Sequence, residues 1–198
     1  MSRDQLILEG IVTTQSKAGE VNIAPMGPRC DAKMNWLTLR PFKTSTTYQN
    51  LCDNGEGVFH VVDDVLLLAQ AAIGRIDPQP LMLVSMKVQG FILQDACRYY
   101  EFKVEKIDAS QNRAEIDATV VGSGRIRDFF GFNRAKNAVV EAAILATRVH
   151  LLPRDDMLAE LKKLDVLVQK TGGKRERQAF DLLCDYIHDA PPPGGQPT

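Results

Sequence analysis

The alternation of apolar and polar positions divides the chain into a strand-rich front and a helical rear. Residues 6–14, Leu-Ile-Leu-Glu-Gly-Ile-Val-Thr-Thr, predict a strand, Lys17-Ala18-Gly19-Glu20 a turn, and 21–24 the returning partner, so a hairpin opens the domain. Pro25-Met26-Gly27-Pro28 fits no regular element, and 30–35 turns the chain into a third strand over 36–40, which Pro41 ends. A hydroxyl-rich stretch, 43–47, then leads into a short helix over 48–53 closed by Asn54-Gly55. Residues 57–62 predict a buried strand, and Asp63-Asp64 a cap for an apolar helix over 65–73. Three more strands are expected at 87–93, 99–107 and 114–121.

Beyond residue 132 the period becomes helical, with helices expected over 133–150, 154–169 and 174–188. In the first, Ala135, Ala138, Val139, Ala142, Ala143 and Ala146 form a small-residue stripe suited to close packing. Arg134, Glu141 and Arg148 share another face, read as a solvated or interface surface rather than a catalytic one. The expected organisation is a barrel domain over 1–150, a helical hairpin over 151–189 and a flexible Pro/Gly tail over 190–198.

Composition narrows the function. The 198 residues carry 24 basic and 25 acidic side chains, net charge −1, which argues against coating a nucleic acid or an acidic membrane by bulk electrostatics. No apolar run approaches the ~20 residues of a membrane span, and the start lacks the pattern of a secretion signal, so a cytoplasmic protein is expected. Cys30, Cys52, Cys97 and Cys184 are scattered, as are His60, His150 and His188, so no metal site is expected and the thiols read as reduced and mostly packed. Cys30 is read as structural, although it stands beside Arg29 near the candidate site. Walker, dinucleotide and nucleophile-elbow signatures are missing, and no carboxylate pair stands out; an enzyme of this sequence would rely on a cofactor.

The informative stretch is Arg40-Pro41-Phe42-Lys43-Thr44-Ser45-Thr46-Thr47. It sets two cations and four hydroxyls between a strand end and a helix start, where free amides and the helix dipole favour an anion. The same residues read equally well as a capped helix start beside solvated cations. Met26-Gly27-Pro28 suits either the edge of a flat ring or a plain turn.

Several motifs in order carry a resemblance: Ile11-Val12-Thr13-Thr14, Asn22-Ile23-Ala24-Pro25-Met26-Gly27, Leu39-Arg40-Pro41-Phe42-Lys43-Thr44-Ser45, Asp63-Asp64-Val65-Leu66 and Gly131-Phe132-Asn133-Arg134-Ala135. Over about residues 6–148 the chain resembles a poorly characterised archaeal and bacterial family of flavin-reductase-like, FMN-binding split-barrel proteins, associated with tetrahydromethanopterin genes. The resemblance implies an α+β fold: a six-stranded antiparallel split β-barrel with a C-terminal helical hairpin, forming a homodimer with FMN in the subunit groove. It implies that the flavin phosphate is held by Arg40, Phe42, Lys43, Thr44, Ser45, Thr46 and Thr47, and that the ring lies along Asn22, Met26, Gly27 and Pro28. The expected function is an oxidoreductase passing electrons through FMN to a small-molecule substrate, with catalytic residues undetermined. The alternative is a non-catalytic flavin- or pterin-binding module on the same barrel.

Overall fold

A computed structural model describes residues 6–191. The segment 192–198, most of the expected tail, lies outside the described residues. The chain divides into two compact units. One takes the described residues up to Val62 together with Gln79–Phe129; the other takes Asp63–Pro78 and the described residues from Phe130 onward. This differs from the expected division at residue 150, because an apolar helix near residue 70 and the small-residue helix after 133 share a core with the two last helices.

The first unit is an antiparallel sheet. Its strands are β1 (Leu6–Ile7), β2 (Gly10–Gln15), β3 (Val21–Met26), β4 (Arg29–Cys30) and β5 (Trp36–Leu39). Helix α1 (Thr46–Asn54) precedes β6 (Glu56–Val61), and the long strands β9 (Arg98–Asp108) and β10 (Glu115–Arg125) complete the sheet. Strand order is β1-β4-β5-β10-β9-β6-β2-β3. Eight strands, not six, make the sheet, and the reason lies in the first hairpin. Leu6 pairs with Cys30, Ile7 with Arg29, Gly10 with Met26 and Gln15 with Val21, one register without a slip. Each arm is broken in two at Leu8-Glu9 and Gly27-Pro28, where Leu8 N still donates to Pro28 O at 3.2 Å. The residues 6–14 expected as one strand are thus two, β1 and β2.

This break fixes the curvature. In a flat sheet β1 and β2 would lie six strand spacings, about 29 Å, apart, whereas the two residues that join them span at most about 10 Å. The sheet is therefore curled until its edges approach. Where β2 leaves the bend, Gly10 lies close on its neighbour β6: a Cβ there would sit 2.2 Å from the His60 carbonyl oxygen and 2.8 Å from the Phe59 ring. Inside the curl Val12, Leu37, Leu39, Leu51, Phe59, Phe102 and Ile116 are buried, with the rings of Phe59 and Tyr100 stacked at 6.4 Å.

Two further strands, β7 (Met82–Val84) and β8 (Phe91–Leu93), form a separate hairpin where one strand over 87–93 was expected. Residues 85–90 are its turn, because the buried Glu101 carboxylate accepts from the Ser85 hydroxyl (2.5 Å) and the amides of Met86 and Lys87 (both 2.9 Å). Buried side chains of the main sheet stand in for a neighbouring strand along β8. The Thr13 hydroxyl donates to Phe91 O at 2.6 Å, and Leu93 N donates to His60 Nε2 at 3.1 Å.

The second unit is helical: α2 (Val65–Ala72), α3 (Arg134–Ala146), α4 (Arg154–Thr171) and α5 (Lys174–Asp189). Asp64 caps α2 by accepting from Leu66 N and Leu67 N, and Asn133 caps α3 by accepting from Lys136 N. The alanine stripe of α3 is buried among Leu66, Met157, Leu161, Val168, Phe180 and Leu183, while Arg134, Glu141 and Arg148 are exposed. Charge ties the helix starts together: Lys136 binds the Asp63 carbonyl and the Glu176 carboxylate, and Arg175 pairs with Asp64. No helix among the described residues is long and apolar enough to cross a membrane.

Candidate functional site

Strand β5 ends at Leu39, Pro41 two residues on has no N–H for a further ladder bond, and the chain turns through Phe42-Lys43-Thr44 into α1. Ser45 is the cap of that helix. Its backbone is extended (φ −81°, ψ 148°), its Oγ accepts from Tyr48 N at 3.2 Å, and its hydroxyl donates to Phe42 O at 2.7 Å. At the other end Gly55, at φ 66°, closes the helix by donating to Leu51 O. Helix geometry leaves the amides of Thr46 and Thr47 without intrahelical acceptors. Thr44 and Thr46 are exposed, and Thr47 is buried.

Thr47 joins the loop to the strand. Asn22 Nδ2 donates to Thr47 Oγ1 at 3.0 Å and approaches Thr14 Oγ1 at 3.4 Å; Asn50 Nδ2 donates to the same Thr14 oxygen at 3.0 Å. Thr14, Thr47 and Asn50 are each buried, so four short polar side chains from β2, β3 and α1 form one closed network. Two segments read separately in the sequence, around Asn22 and around Thr47, thereby meet. Met26, Gly27 and Pro28 lie at the bend of the first hairpin, about 13 Å along the strand from Asn22. Met26 is half-buried against the barrel core and Pro28 is buried, while a Cβ on Gly27 would lie 2.6 Å from the Glu9 carboxylate.

The cations are less free than their sequence neighbourhood suggests. No acidic residue stands between Asp31 and Asp53, yet β10 brings Glu115 across: its Oε1 lies 3.2 Å from Arg29 Nη1 and 3.5 Å from Arg40 Nε. Two guanidiniums share one carboxylate, which leaves a net positive charge. Arg40 Nε is itself buried and has no hydrogen-bond partner, although the rest of its side chain is partly exposed. Lys43 Nζ donates to Ala109 O at 3.1 Å, and Arg113 stacks over the Phe42 ring at 4.2 Å. Arg29, Arg113 and Glu115 were missed in the sequence because they stand 11 to 75 residues from Arg40. The isolated bridge between Phe42 and Arg113 brings the last two there.

Elsewhere the chemistry is quiet. Burial, then the Asp31 charge, pushes the Cys30 thiol up, so it stays protonated and structural. Burial likewise pushes Cys184 up to about 11. Among the described residues no group of three His, Cys, Asp or Glu is placed to hold a metal. Burial pushes His60 down to about 4, and its Nε2 must be the unprotonated nitrogen, since Leu93 N–H can only donate.

A family model described as the N-terminal domain of a protein of unknown function, DUF447, matches residues 8–127, and a second, DUF447, matches 133–185. The chain belongs to the DUF447 family. Among solved structures, the DUF447 chain resembles an FMN-bound protein of Methanosarcina mazei assigned to the same family, at 24% identity and a TM-score of 0.79 over 93% of this chain and 96% of that one. It also resembles the flavin reductase of styrene monooxygenase from Pseudomonas putida (13% identity, TM-score 0.53, 62% of this chain and 82% of that one). A third likeness is to an FMN-binding protein of Thermus thermophilus with bound 1-cyclohex-2-enone (11%, 0.52, 63% and 73%). These likenesses place the DUF447 barrel in the flavin-reductase-like split-barrel fold.

Proposed function

We propose that this protein binds FMN and works as a homodimeric oxidoreductase of the flavin-reductase type, carrying electrons from a reduced donor to a small-molecule acceptor. The observation that carries the reading is the loop 40–47: the Arg40 guanidinium, which shares the single Glu115 carboxylate with Arg29, the first amides of α1, and the exposed hydroxyls of Thr44 and Thr46, backed by a net positive charge. This donor set fits a phosphate, since all its members can donate and one carboxylate leaves one of the two guanidinium charges unmatched. Asn22 fastens the start of β3 to the same loop, and the strand then runs about 13 Å to Met26 and Gly27. A ligand with a phosphate at one end and a flat ring at the other, joined by a ribityl chain, suits that separation. The resembling Methanosarcina protein, which is FMN-bound, and the FMN-binding Thermus protein support the same ligand.

In this reading Arg40 and Lys43 neutralise the phosphate, Thr44 to Thr47 add donors, Phe42 braces the loop beneath Arg113, and Met26, Gly27 and Pro28 border the ring. Bound FMN supplies hydride and electron transfer; the protein positions it and keeps its charge paired. Each charge-assisted bond contributes about 1.5–3 kcal/mol, so a few of them reach micromolar affinity.

The test is spectroscopic. FMN added to the purified protein is expected to lose fluorescence and raise the melting temperature; a protein that does neither ends the proposal. R40A and K43A are expected to weaken FMN more than riboflavin, and equal losses would remove the phosphate from this loop. Anaerobic mixing of the loaded protein with NADH or NADPH is expected to bleach the flavin. Failure to bleach with either would favour the non-catalytic binding module.

A further inference from the structure

We propose that Arg29 is a positioning residue for the phosphate end of the site: it holds the Glu115 carboxylate and so keeps Arg40 open to an anion, and Glu115 is the counter-ion that a ligand phosphate displaces from Arg40. This role rests on the phosphate reading of the loop 40–47. Arg29 and Glu115 both lie outside that loop, on β4 and β10.

Register brings the charges together. Arg29 stands opposite Thr38, Thr38 opposite Asp117, and Leu39 opposite Ile116. Residues two apart along a strand share a face, so Arg29, Thr38, Arg40, Glu115 and Asp117 stand on the side of the sheet turned away from buried Leu39 and Ile116. Asp117 is already engaged, because its Oδ1 accepts from the Thr38 hydroxyl at 2.7 Å. Glu115 is left to answer both guanidiniums through one oxygen, 3.2 Å from Arg29 Nη1 and 3.5 Å from Arg40 Nε.

The sharing is unequal. The contact to Arg29 is the shorter, and the Arg29 side chain is the less exposed of the two, 32% against 41%, so that pair is less screened by water. Arg40, on the longer contact, is the guanidinium that a stronger anion can take. A phosphate monoester is stronger: it carries roughly 1.5 to 2 negative charges at neutral pH and three acceptor oxygens. When it binds Arg40, the carboxylate keeps Arg29 and is not stranded. Without Arg29, Glu115 has Arg40 as its sole guanidinium partner and competes with the ligand at full charge. Arg29 therefore acts on the ligand through Glu115 and not by contact.

FMN and riboflavin titrations of the full chain, followed by flavin fluorescence, test this through the signs of three variants. R29A is expected to weaken FMN by about three- to tenfold, and E115Q to tighten it by a similar factor, the modest size following from half-exposed pairs. R29A/E115Q has the same summed charge at these three positions as the wild type and should return to about wild-type affinity, a rescue that a merely structural role for Arg29 would not give. Riboflavin binding should be unchanged throughout, and the FMN effects should fade at about 1 M salt, where screening reaches ~3 Å. If R29A fails to fold, R29Q removes the charge while retaining a long polar side chain, and carries the same expectation. An E115Q protein that binds FMN no more tightly than the wild type, an R29A defect that E115Q does not relieve, or riboflavin shifting in step with FMN would each overturn the proposal while leaving the flavin reading in place. A wild-type protein that binds no FMN would overturn both.

Discussion

Asn22 on β3 donates its side-chain amide to the hydroxyl of Thr47 on α1, at 3.0 Å, and this bond sets where the helix start lies against the strand. Thr47 is 2% exposed, so Thr47→Val removes a buried acceptor and leaves the half-buried Asn22 amide only its longer contact to Thr14. T47V and N22A are each expected to cost about 1–3 kcal/mol in urea unfolding, and the double mutant less than their sum, by about 1 kcal/mol. Strict additivity would show that the bond does not couple the two elements.

Ser45 separates a cap from an anion site. Alanine there removes the acceptor of Tyr48 N and is expected to cost about 1 kcal/mol, a fall in melting temperature of several degrees. Ser45→Asp keeps a cap acceptor and complements the helix dipole, so its stability should stay within about 1 kcal/mol of wild type. It also places a carboxylate among the proposed phosphate donors. FMN affinity is then expected to fall by about tenfold or more while riboflavin binding is little changed. Equal effects on both flavins would show that Ser45 serves only the helix.

The order of elements was legible because local rules dominate it. The turn 17–20, Pro41, the Asp64 cap and the alanine stripe of α3 each act within a few residues, and each appears where the pattern expects it. The broken first hairpin was not legible: nothing in Leu8-Glu9 marks a bend, which follows from closing the curl around the whole sheet. The turn over 85–90 was missed for a similar reason, since it depends on Glu101, which stands 14 to 16 residues along the chain from the groups it receives. In the site, Arg40 and Lys43 stood out by sequence adjacency. Glu115 and Arg113 could have been suspected only by pairing β5 with β10, which brings Leu39 opposite Ile116.

His60 couples the hairpin to pH. Folding pushes it down to about 4 from the ordinary 6.5, because the charged ring would be stranded in the core. The unfolded chain therefore takes up the proton first as pH falls, and stability declines from about pH 6.5 until it levels near pH 4. At pH 5 this coupling is expected to remove about 2 kcal/mol relative to pH 7, and about 3 kcal/mol in all. His60→Gln, which cannot titrate, should be less stable at pH 7 yet lose that part of the slope. Urea unfolding at the two pH values measures both, and an unchanged slope in H60Q would place the pH dependence elsewhere.

Glu101 is the support on which the β7–β8 turn rests. One carboxylate oxygen receives three donors, so the charge is compensated by hydrogen bonds rather than by a cation. Leucine at this position keeps the bulk and strands the Ser85 hydroxyl and the amides of Met86 and Lys87, at an expected cost of about 3 kcal/mol or more. Glutamine retains an acceptor oxygen, but its NH2 group must take the place of the second oxygen, which lies 2.2 Å from where a Cβ on Gly122 would stand. E101Q is therefore expected to cost less than E101L. Because the strain falls on the turn first, hydrogen exchange at the Met86 and Lys87 amides should quicken in both variants before the strands β9 and β10 lose protection. Simultaneous loss across the sheet would mean that Glu101 holds the barrel itself, and that the hairpin has no stability of its own to lose.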